Sequence, residues 1–368
     1  MKKNVLVVSG TRADFGLLRP VLDALRKSHK LSPLLLITGM HTLRKYGSTQ
    51  DEVKSLGYKI SQFVPITEHG DMLTWLSKEI NGINKFCRNI KVDCILVLGD
   101  RDEMLAGAIV GTHLGIKIAH IHGGEITGKS VVDSKNRDAI TQFATFHFAA
   151  NKKSAERIFQ MKQSEENIFE VGAPGVDLIK SIKNKSRDEV AKKFSLNLDK
   201  KWILAIMHPA PLSKKLTFRE QIKPVCDALV KRDCEIIWVY PNSDTGSDVF
   251  IKEIVNFSKR KRVKLFKNLL REDFINLLAT ADVFIGNSSS GIIESSYLRL
   301  PVVNIGDRQK GRERSTNVID CDYNKQQIEG AIEKALSDEF KKNCQKVKQI
   351  YGKGFAGLKI VAILEKKL

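Results

Sequence analysis

No apolar run in this sequence approaches the ~20 residues that a membrane-spanning helix needs. The start, Met1-Lys2-Lys3 followed by an apolar stretch, has the outline of an export signal. Its apolar part is too short, and Arg12 and Asp14 follow soon after, so it reads as a strand. Cysteine pairs are missing too. The six cysteines (87, 94, 226, 234, 321 and 344) are scattered, with no C-x-x-C among them. That excludes a zinc ribbon and argues against a disulfide framework; free thiols in a cytoplasmic protein are expected. There is no G-x-G-x-x-G after a strand, hence no sign of a nicotinamide dinucleotide. Helix-turn-helix, zinc-finger and aromatic-interleaved basic patterns are also absent. The +19 net charge, from 61 Lys and Arg against 42 Asp and Glu, is mostly dispersed lysine and reads as a solvated surface. Neither nucleic acid nor membrane is expected as a partner.

What is present is regular alternation. The 368 residues suffice for two domains, and 42% hydrophobic residues can build a core in each. Apolar strands are expected at 4–9, 34–38, 94–98, 116–121, 147–150 and 168–171, with amphipathic helices at 17–27, 72–86 and 154–161. A Gly/Pro stop at 172–175 and the Lys-rich stretch after it mark a boundary. Strands are then expected at 202–207, 235–240, 263–267, 283–286 and 301–305, with helices at 221–231, 249–257, 271–280, 326–336 and 360–367. Strand–helix alternation predicts α/β architecture: two Rossmann-like domains, each a parallel sheet covered on both faces. The domains are placed at 1–178 and 179–350, with a C-terminal helix in 351–368. A cleft between facing strand ends is expected.

The polar residues collect at strand ends, where ligands bind in such folds. The run Val283–Glu294 is a buried strand, the turn Gly286-Asn287-Ser288-Ser289-Ser290-Gly291 and a helix start. Backbone N–H groups, hydroxyls and the helix dipole there make an anion site, or the serines only cap the helix. Arg12, after the first strand, either meets an anion or caps local carbonyls. Asp100, after the expected strand at 94–98, is either an N-cap or a reacting carboxylate. His122 and Glu125 follow the next strand. The segment Lys129–Asp138, with Asp133, Arg137 and Asp138, is expected as a polar loop running into a helix over 138–143. His208, fixed before Pro209, either donates to phosphate or acts as an acid. Arg308, Lys310 and Arg312 add cations. Cations and N–H groups stabilise a departing diphosphate, while carboxylates and imidazoles move sugar protons. His120, His122 and Glu125 are poorly disposed as metal ligands, and no metal is expected.

The ordered set Gly10-Thr11-Arg12-Ala13-Asp14-Phe15-Gly16, Gly39-Met40-His41, Gly99-Asp100-Arg101, His120-Ile121-His122-Gly123-Gly124-Glu125, His208-Pro209, Pro241–Gly246, Gly286–Glu294, Gly306–Arg312 and Tyr351-Gly352-Lys353-Gly354 spans nearly the whole chain. It resembles the hydrolysing UDP-N-acetylglucosamine 2-epimerases of sialic-acid biosynthesis. The resemblance implies a glycosyltransferase-B-like fold, a C-terminal helix that returns to the first domain, a homodimer, and no cofactor. It implies elimination of UDP from UDP-N-acetylglucosamine to 2-acetamidoglucal, then hydration to N-acetylmannosamine. Arg12, His208, Ser288, Ser289, Ser290, Glu294, Arg308 and Arg312 are expected on UDP, with Glu294 on the ribose. Asp100, His122, Glu125, Asp133 and His208 are the catalytic candidates.

Departures from the family pattern lie on the sugar side. His122 stands where many relatives carry Glu. Val131-Val132-Asp133-Ser134-Lys135-Asn136-Arg137-Asp138 replaces a common Asp-Asp-Ser-Ile-Arg-His, and Asp307 a usual threonine. The alternatives are the same chemistry on a UDP-2,4-diacetamido-2,4,6-trideoxy sugar of the legionaminic-acid pathway, a non-hydrolysing epimerase or retaining glycosyltransferase, or a non-catalytic nucleotide-binding protein.

Overall fold

A computed structural model describes residues 2–43, 49–67, 71–128, 132–182, 185–210, 216–242 and 245–368. The start of the polar segment expected from Lys129, and Ser243 and Asp244 of the motif Pro241–Gly246, lie outside the described residues.

The chain divides into two compact units. The first comprises Met1–Glu125, Asp133–Leu178 and Gly352–Leu368; the second comprises Ile126–Val132 and Ile179–Tyr351.

The first unit holds seven strands: β1 (Lys3–Ser9), β2 (Leu31–Ile37), β3 (Ile60–Phe63), β4 (Cys94–Leu98), β5 (Lys117–Ile121), β6 (Phe146–Ala149) and β7 (Ile168–Glu170). All pair in parallel, in the order β3-β2-β1-β4-β5-β6-β7. The second unit holds β8 (Lys201–Ile206), β9 (Cys234–Val239), β10 (Val263–Phe266), β11 (Val283–Gly286), β12 (Val302–Ile305) and β13 (Val318–Cys321). These are also parallel, in the order β10-β9-β8-β11-β12-β13. Each sheet therefore reverses its strand order once, between β1 and β4 and between β8 and β11. That crevice is the usual ligand position in open α/β sheets.

The central strands form because they are apolar on both faces. β4 reads Cys-Ile-Leu-Val-Leu and is wholly buried, as a strand covered by helices on both sides must be. β3 and β13 were not among the expected strands. They are edge strands of four residues, Ile-Ser-Gln-Phe and Val-Ile-Asp-Cys, all half-buried but for the exposed Asp320, too short and mixed to stand out from loop.

Local chemistry explains the first βα turn. Thr11 caps the helix Arg12–Lys27, and Asp14 closes a reciprocal capping box. The Asp14 carboxylate accepts from Thr11 N–H at 2.7 Å, Thr11 Oγ1 at 2.6 Å and the Ser9 hydroxyl. Burial, followed by the charge of Glu103, pushes Asp14 up to about 6.

Two helices lie where none was expected, and the start of a third is corrected. The Gly/Pro stop does not only end a strand: Pro174 opens the helix Pro174–Ser181, because proline fits the first helical position. The Lys-rich stretch contains the helix Arg187–Phe194, begun by a Ser186/Glu189 capping box. The helix expected over 138–143 starts instead at Asp133. Its first turn is polar, so apolar periodicity alone is silent until Ile140.

In the last segment, the helix Ala356–Lys367 packs on Arg12–Lys27, with Ile360, Val361 and Leu364 joining the core that holds Leu18, Val21, Leu22 and Leu25. Asp177 accepts from the N–H groups of Ala356 at 2.9 Å and Gly357 at 2.7 Å.

Candidate active site

In the second unit, β8 and β11 end side by side and place His208 next to Asn287. Gly286 closes β11 at φ 142°, where a Cβ would lie 1.8 Å from the Ile206 carbonyl oxygen, so only glycine fits. Asn287 is fully buried and grips the His208 backbone from both sides: Oδ1 accepts His208 N–H at 2.7 Å, and Nδ2 donates to His208 O at 2.8 Å. The Asn287 carbonyl accepts from Gln309 Nε2 at 2.9 Å and Arg308 Nη1 at 3.3 Å. Arg312 is buried and donates to Gln309 Oε1 at 3.0 Å. The cations after β12 are thus built into the floor of the β11 turn.

His208 is buried, and Asn242 N–H donates to its Nδ1 at 3.1 Å. The proton of the neutral ring is therefore on Nε2. Burial, and next the charge of Arg308, pushes its pKa well below the ordinary value. Both observations favour the neutral ring with its donor on Nε2.

The serine turn differs from the expected helix start. Ser289–Gly291 is a single 3-10 turn capped by Ser288, whose hydroxyl accepts from Ser290 N–H at 3.4 Å, and the helix Ile293–Leu298 has only six residues. With so short a helix, an anion here depends on local N–H groups, hydroxyls and Arg308 more than on a macrodipole. Glu294 is buried and ion-paired with Arg271.

In the first unit, four side chains join in series. The Asp100 carboxylate pairs with Arg137 Nη2, Arg137 Nη1 reaches Glu125 Oε2 at 3.3 Å, and Glu125 Oε1 meets His122 Nδ1 at 2.6 Å. Arg137, Glu125 and His122 are buried. Burial lowers the pKa of Arg137, but the carboxylates of Asp100 and then Glu125 outweigh it, and the net shift is upwards. A carboxylate held beside that guanidinium is an acceptor, so Nδ1 of His122 carries the proton between them, and in the neutral ring Nε2 is the nitrogen with the lone pair. His122 sits at φ 65°, a left-handed conformation that costs a non-glycine residue about 1 kcal/mol or more. Such an outlier at a strand end marks a constrained side-chain direction.

Asp100 is not a helix cap, since Arg101 occupies the N-cap of Asp102–His113. Asp133 opens its helix half-buried and adds to the field at Arg137. Asp138 leaves the cluster: both its oxygens bind Arg157, at 2.8 and 2.7 Å. Arg12 is at the carboxyl end of β1, ion-paired with Glu52 and not capping carbonyls. His120 is held by the Gly99 carbonyl at 2.8 Å, and among the described residues no group of three or more His, Cys, Asp or Glu is arranged to hold a metal ion.

The family pattern described as UDP-N-acetylglucosamine 2-epimerase matches residues 23–365. The chain belongs to that family. Among its relatives, the hydrolysing UDP-N,N'-diacetylbacillosamine 2-epimerase of Legionella pneumophila is 39% identical, over 92% of this chain and 90% of that protein. The hydrolysing GDP/UDP-N,N'-diacetylbacillosamine 2-epimerase of Campylobacter jejuni is 32% identical, over 93% and 90%. The crystal structure of UDP-GlcNAc 2-epimerase from Neisseria meningitidis bound to UDP-GlcNAc superposes with a TM-score of 0.86 at 19% identity, covering 99% of this chain and 100% of that one. The fold is that of the 2-epimerases, two glycosyltransferase-B-like α/β units.

Within this epimerase fold, the structure brings together Asp100, His122 and Glu125 in one unit and His208, Ser288, Arg308 and Arg312 in the other. Sequence reasoning assigned no role to Arg137 or Asn287. Arg137 was legible in part: Arg137, Ile140 and Thr141 share the i, i+3, i+4 spacing of a buried helix face. A charged first member hid that face.

Proposed function

We propose that this chain is a hydrolysing UDP-aminosugar 2-epimerase acting on UDP-N,N'-diacetylbacillosamine, which releases UDP and the free 2-epimeric sugar. The observation that carries the reaction class is the series Asp100–Arg137–Glu125–His122, which leaves one imidazole nitrogen as a base beside an ionised carboxylate. The substrate assignment draws support from the Legionella relative at 39% identity. The departures at His122 and 131–138, on the sugar side, accord with a sugar other than N-acetylglucosamine.

In this reading the β11 turn holds the diphosphate. His208 Nε2–H, the serine hydroxyls, Arg308 and Arg312 stabilise it, with Arg12 as a further cation and Glu294 on the ribose. The C2 proton of the sugar is not acidic, because no carbonyl adjoins that carbon. Its removal needs early cleavage of the C1–O bond. Pre-organised donors on the leaving diphosphate contribute several kcal/mol towards that, about 3–4 kcal/mol for each well-placed one. His122 Nε2 takes the C2 proton as UDP departs, giving the 1,2-unsaturated sugar. Water then adds its oxygen to C1 and gives a proton to Asp100, while an acid on the opposite face returns a proton to C2. Asp133 is the carboxyl assigned to that return.

The test is turnover with EDTA present and product analysis by proton NMR in deuterated water. UDP-N,N'-diacetylbacillosamine is expected to yield UDP and a reducing diacetamido sugar carrying deuterium at C2, faster than UDP-N-acetylglucosamine yields N-acetylmannosamine. Product without deuterium would mean simple hydrolysis. A UDP-linked epimer would mean the non-hydrolysing reaction, and binding of UDP without turnover a non-catalytic protein.

A further inference from the structure

A carboxylate just beyond a phosphate-binding turn works against that turn, because it repels the ligand the turn attracts. Glu294 is such a group. It stands four residues after Ser290, is 3% exposed, and so has little water to screen it. Its Oε1 is ion-paired with Arg271, the first residue of the helix Arg271–Thr280. Among the described residues, Glu294 has no other side-chain partner, and Oε2 remains an acceptor. The Arg271 guanidinium lies 5.4 Å from the centroid of the Phe274 ring, which restricts its plane. The neighbouring Asp273 is already taken by Lys193 at 2.6 Å, so the charge of Arg271 is not shared with it.

We propose that Arg271 is a positioning residue for the nucleoside half of the substrate. It compensates the Glu294 charge towards the diphosphate and sets the carboxylate plane so that Oε2 accepts from the vicinal hydroxyl pair of a ribose. Only a ligand part that donates hydrogen bonds suits that oxygen, and a nucleoside diphosphate offers one beside its phosphates. The guanidinium, its plane restricted by the Phe274 ring, meets Oε1 through Nη2 alone, a directional contact that a freely rotating ammonium does not reproduce. The inference rests on the reading that a nucleoside diphosphate binds at the β11 turn.

The experiment measures binding of UDP and of 2',3'-dideoxy-UDP by calorimetry to the full chain and to Arg271→Met, Arg271→Lys and Arg271→Met/Glu294→Gln, with turnover measured in parallel. The unaltered protein is expected to prefer UDP roughly ten- to a hundredfold, the worth of hydrogen bonds to a charged group. Arg271→Met should weaken UDP about tenfold or more, bring the preference close to one, and raise KM with kcat within about threefold. Arg271→Lys should keep most of the UDP affinity but less of the preference. The double variant should bind UDP better than Arg271→Met, since the uncompensated carboxylate is gone. A structural role alone would not produce that rescue.

An undiminished preference in Arg271→Met, or no recovery in the double variant, would overturn the proposal. If Arg271→Met does not fold, an unchanged preference in Arg271→Lys would do so. Failure of the unaltered protein to bind UDP would overturn both this inference and the function it rests on. Ribose-dependent binding that survives the Arg271 changes would overturn the inference alone.

Discussion

The two histidines at the sheet edges hold their protons on opposite ring nitrogens. His208 accepts at Nδ1 from a backbone N–H, which leaves Nε2 as its donor, while His122 donates from Nδ1 to Glu125, which makes Nε2 the lone-pair nitrogen of its neutral ring. In the proposed reaction the first serves as a donor and the second as a base. His122→Gln should therefore lower kcat about 10²- to 10⁴-fold and leave UDP affinity within a factor of about three, as steady-state kinetics with a binding titration would read. Glu125→Gln should fall between, because an amide can hold the ring in either tautomer. A loss of UDP affinity equal to the loss of turnover would remove His122 from the chemistry. A second buried cluster near the first βα turn sets the pH range of stability. Burial, and then Glu103, pushes Glu79 up to about 9 from an ordinary 4.5. A raised folded pKa contributes stability below pH ~4.5 that is lost as pH rises through about 9. Asp14, up to about 6, adds to the same slope at lower pH. Burial holds His41 down to about 4, so its contribution is lost as pH falls from 6.5 to 4. Glu79→Gln should flatten the alkaline decline: melting temperatures of the variant should approach or pass those of the parent at pH 9 and not at pH 5. Equal differences at both values would mean that Glu79 is ionised in the fold. At this scale, the polar strand ends were legible because glycine marks most of them and proline follows His208. Arg137 and Asn287 were not. Their importance lies in partners 37 and 79 residues away, at Asp100 and His208, and no local spacing encodes such pairs.

Among the elements, burial on both faces decided what could be read. β1, β4 and β8 are continuous apolar runs ending in a polar turn, and nothing else in an α/β chain has that form. β3 and β13 lack it because one side of an edge strand has no neighbour to bury it. The helix from Asp133 was hidden by a polar first turn. Its role as carrier of Arg137 depends on that turn being helical, which places Asn136 on Asp102 at 2.8 Å. The helix Ala356–Lys367 offers a test of packing. A Cβ on Gly357 would lie 2.6 Å from the Pro20 carbonyl oxygen and 3.0 Å from Val21 N, both backbone atoms of the helix it packs against. Gly357→Ala should therefore destabilise the protein by about 1–3 kcal/mol, the cost of overpacking, read as a lower denaturant midpoint. An unchanged midpoint would show that the two helices part at no cost. Asp177, which accepts both N–H groups at the start of that helix, keeps the pair in register meanwhile.

For the whole molecule, both sheets reverse strand order at the corresponding place, and each reversal collects the polar groups the chain has in excess of its packing needs. β1 and β4 bring Arg12 and Asp100; β8 and β11 bring His208 and the serine turn. The first unit is not a continuous stretch of chain, however, since Gly352–Leu368 completes it from the far end of the sequence. On the ribosome, then, the amino-terminal unit emerges first and must wait. The part of the apolar surface of Arg12–Lys27 that Ile360, Val361 and Leu364 cover stays open until some 330 further residues have been synthesised. The carboxy-terminal unit has nearly all its parts before that, so the later-made half is the earlier to be finished, and the half made first is the one with cause to meet a chaperone during translation.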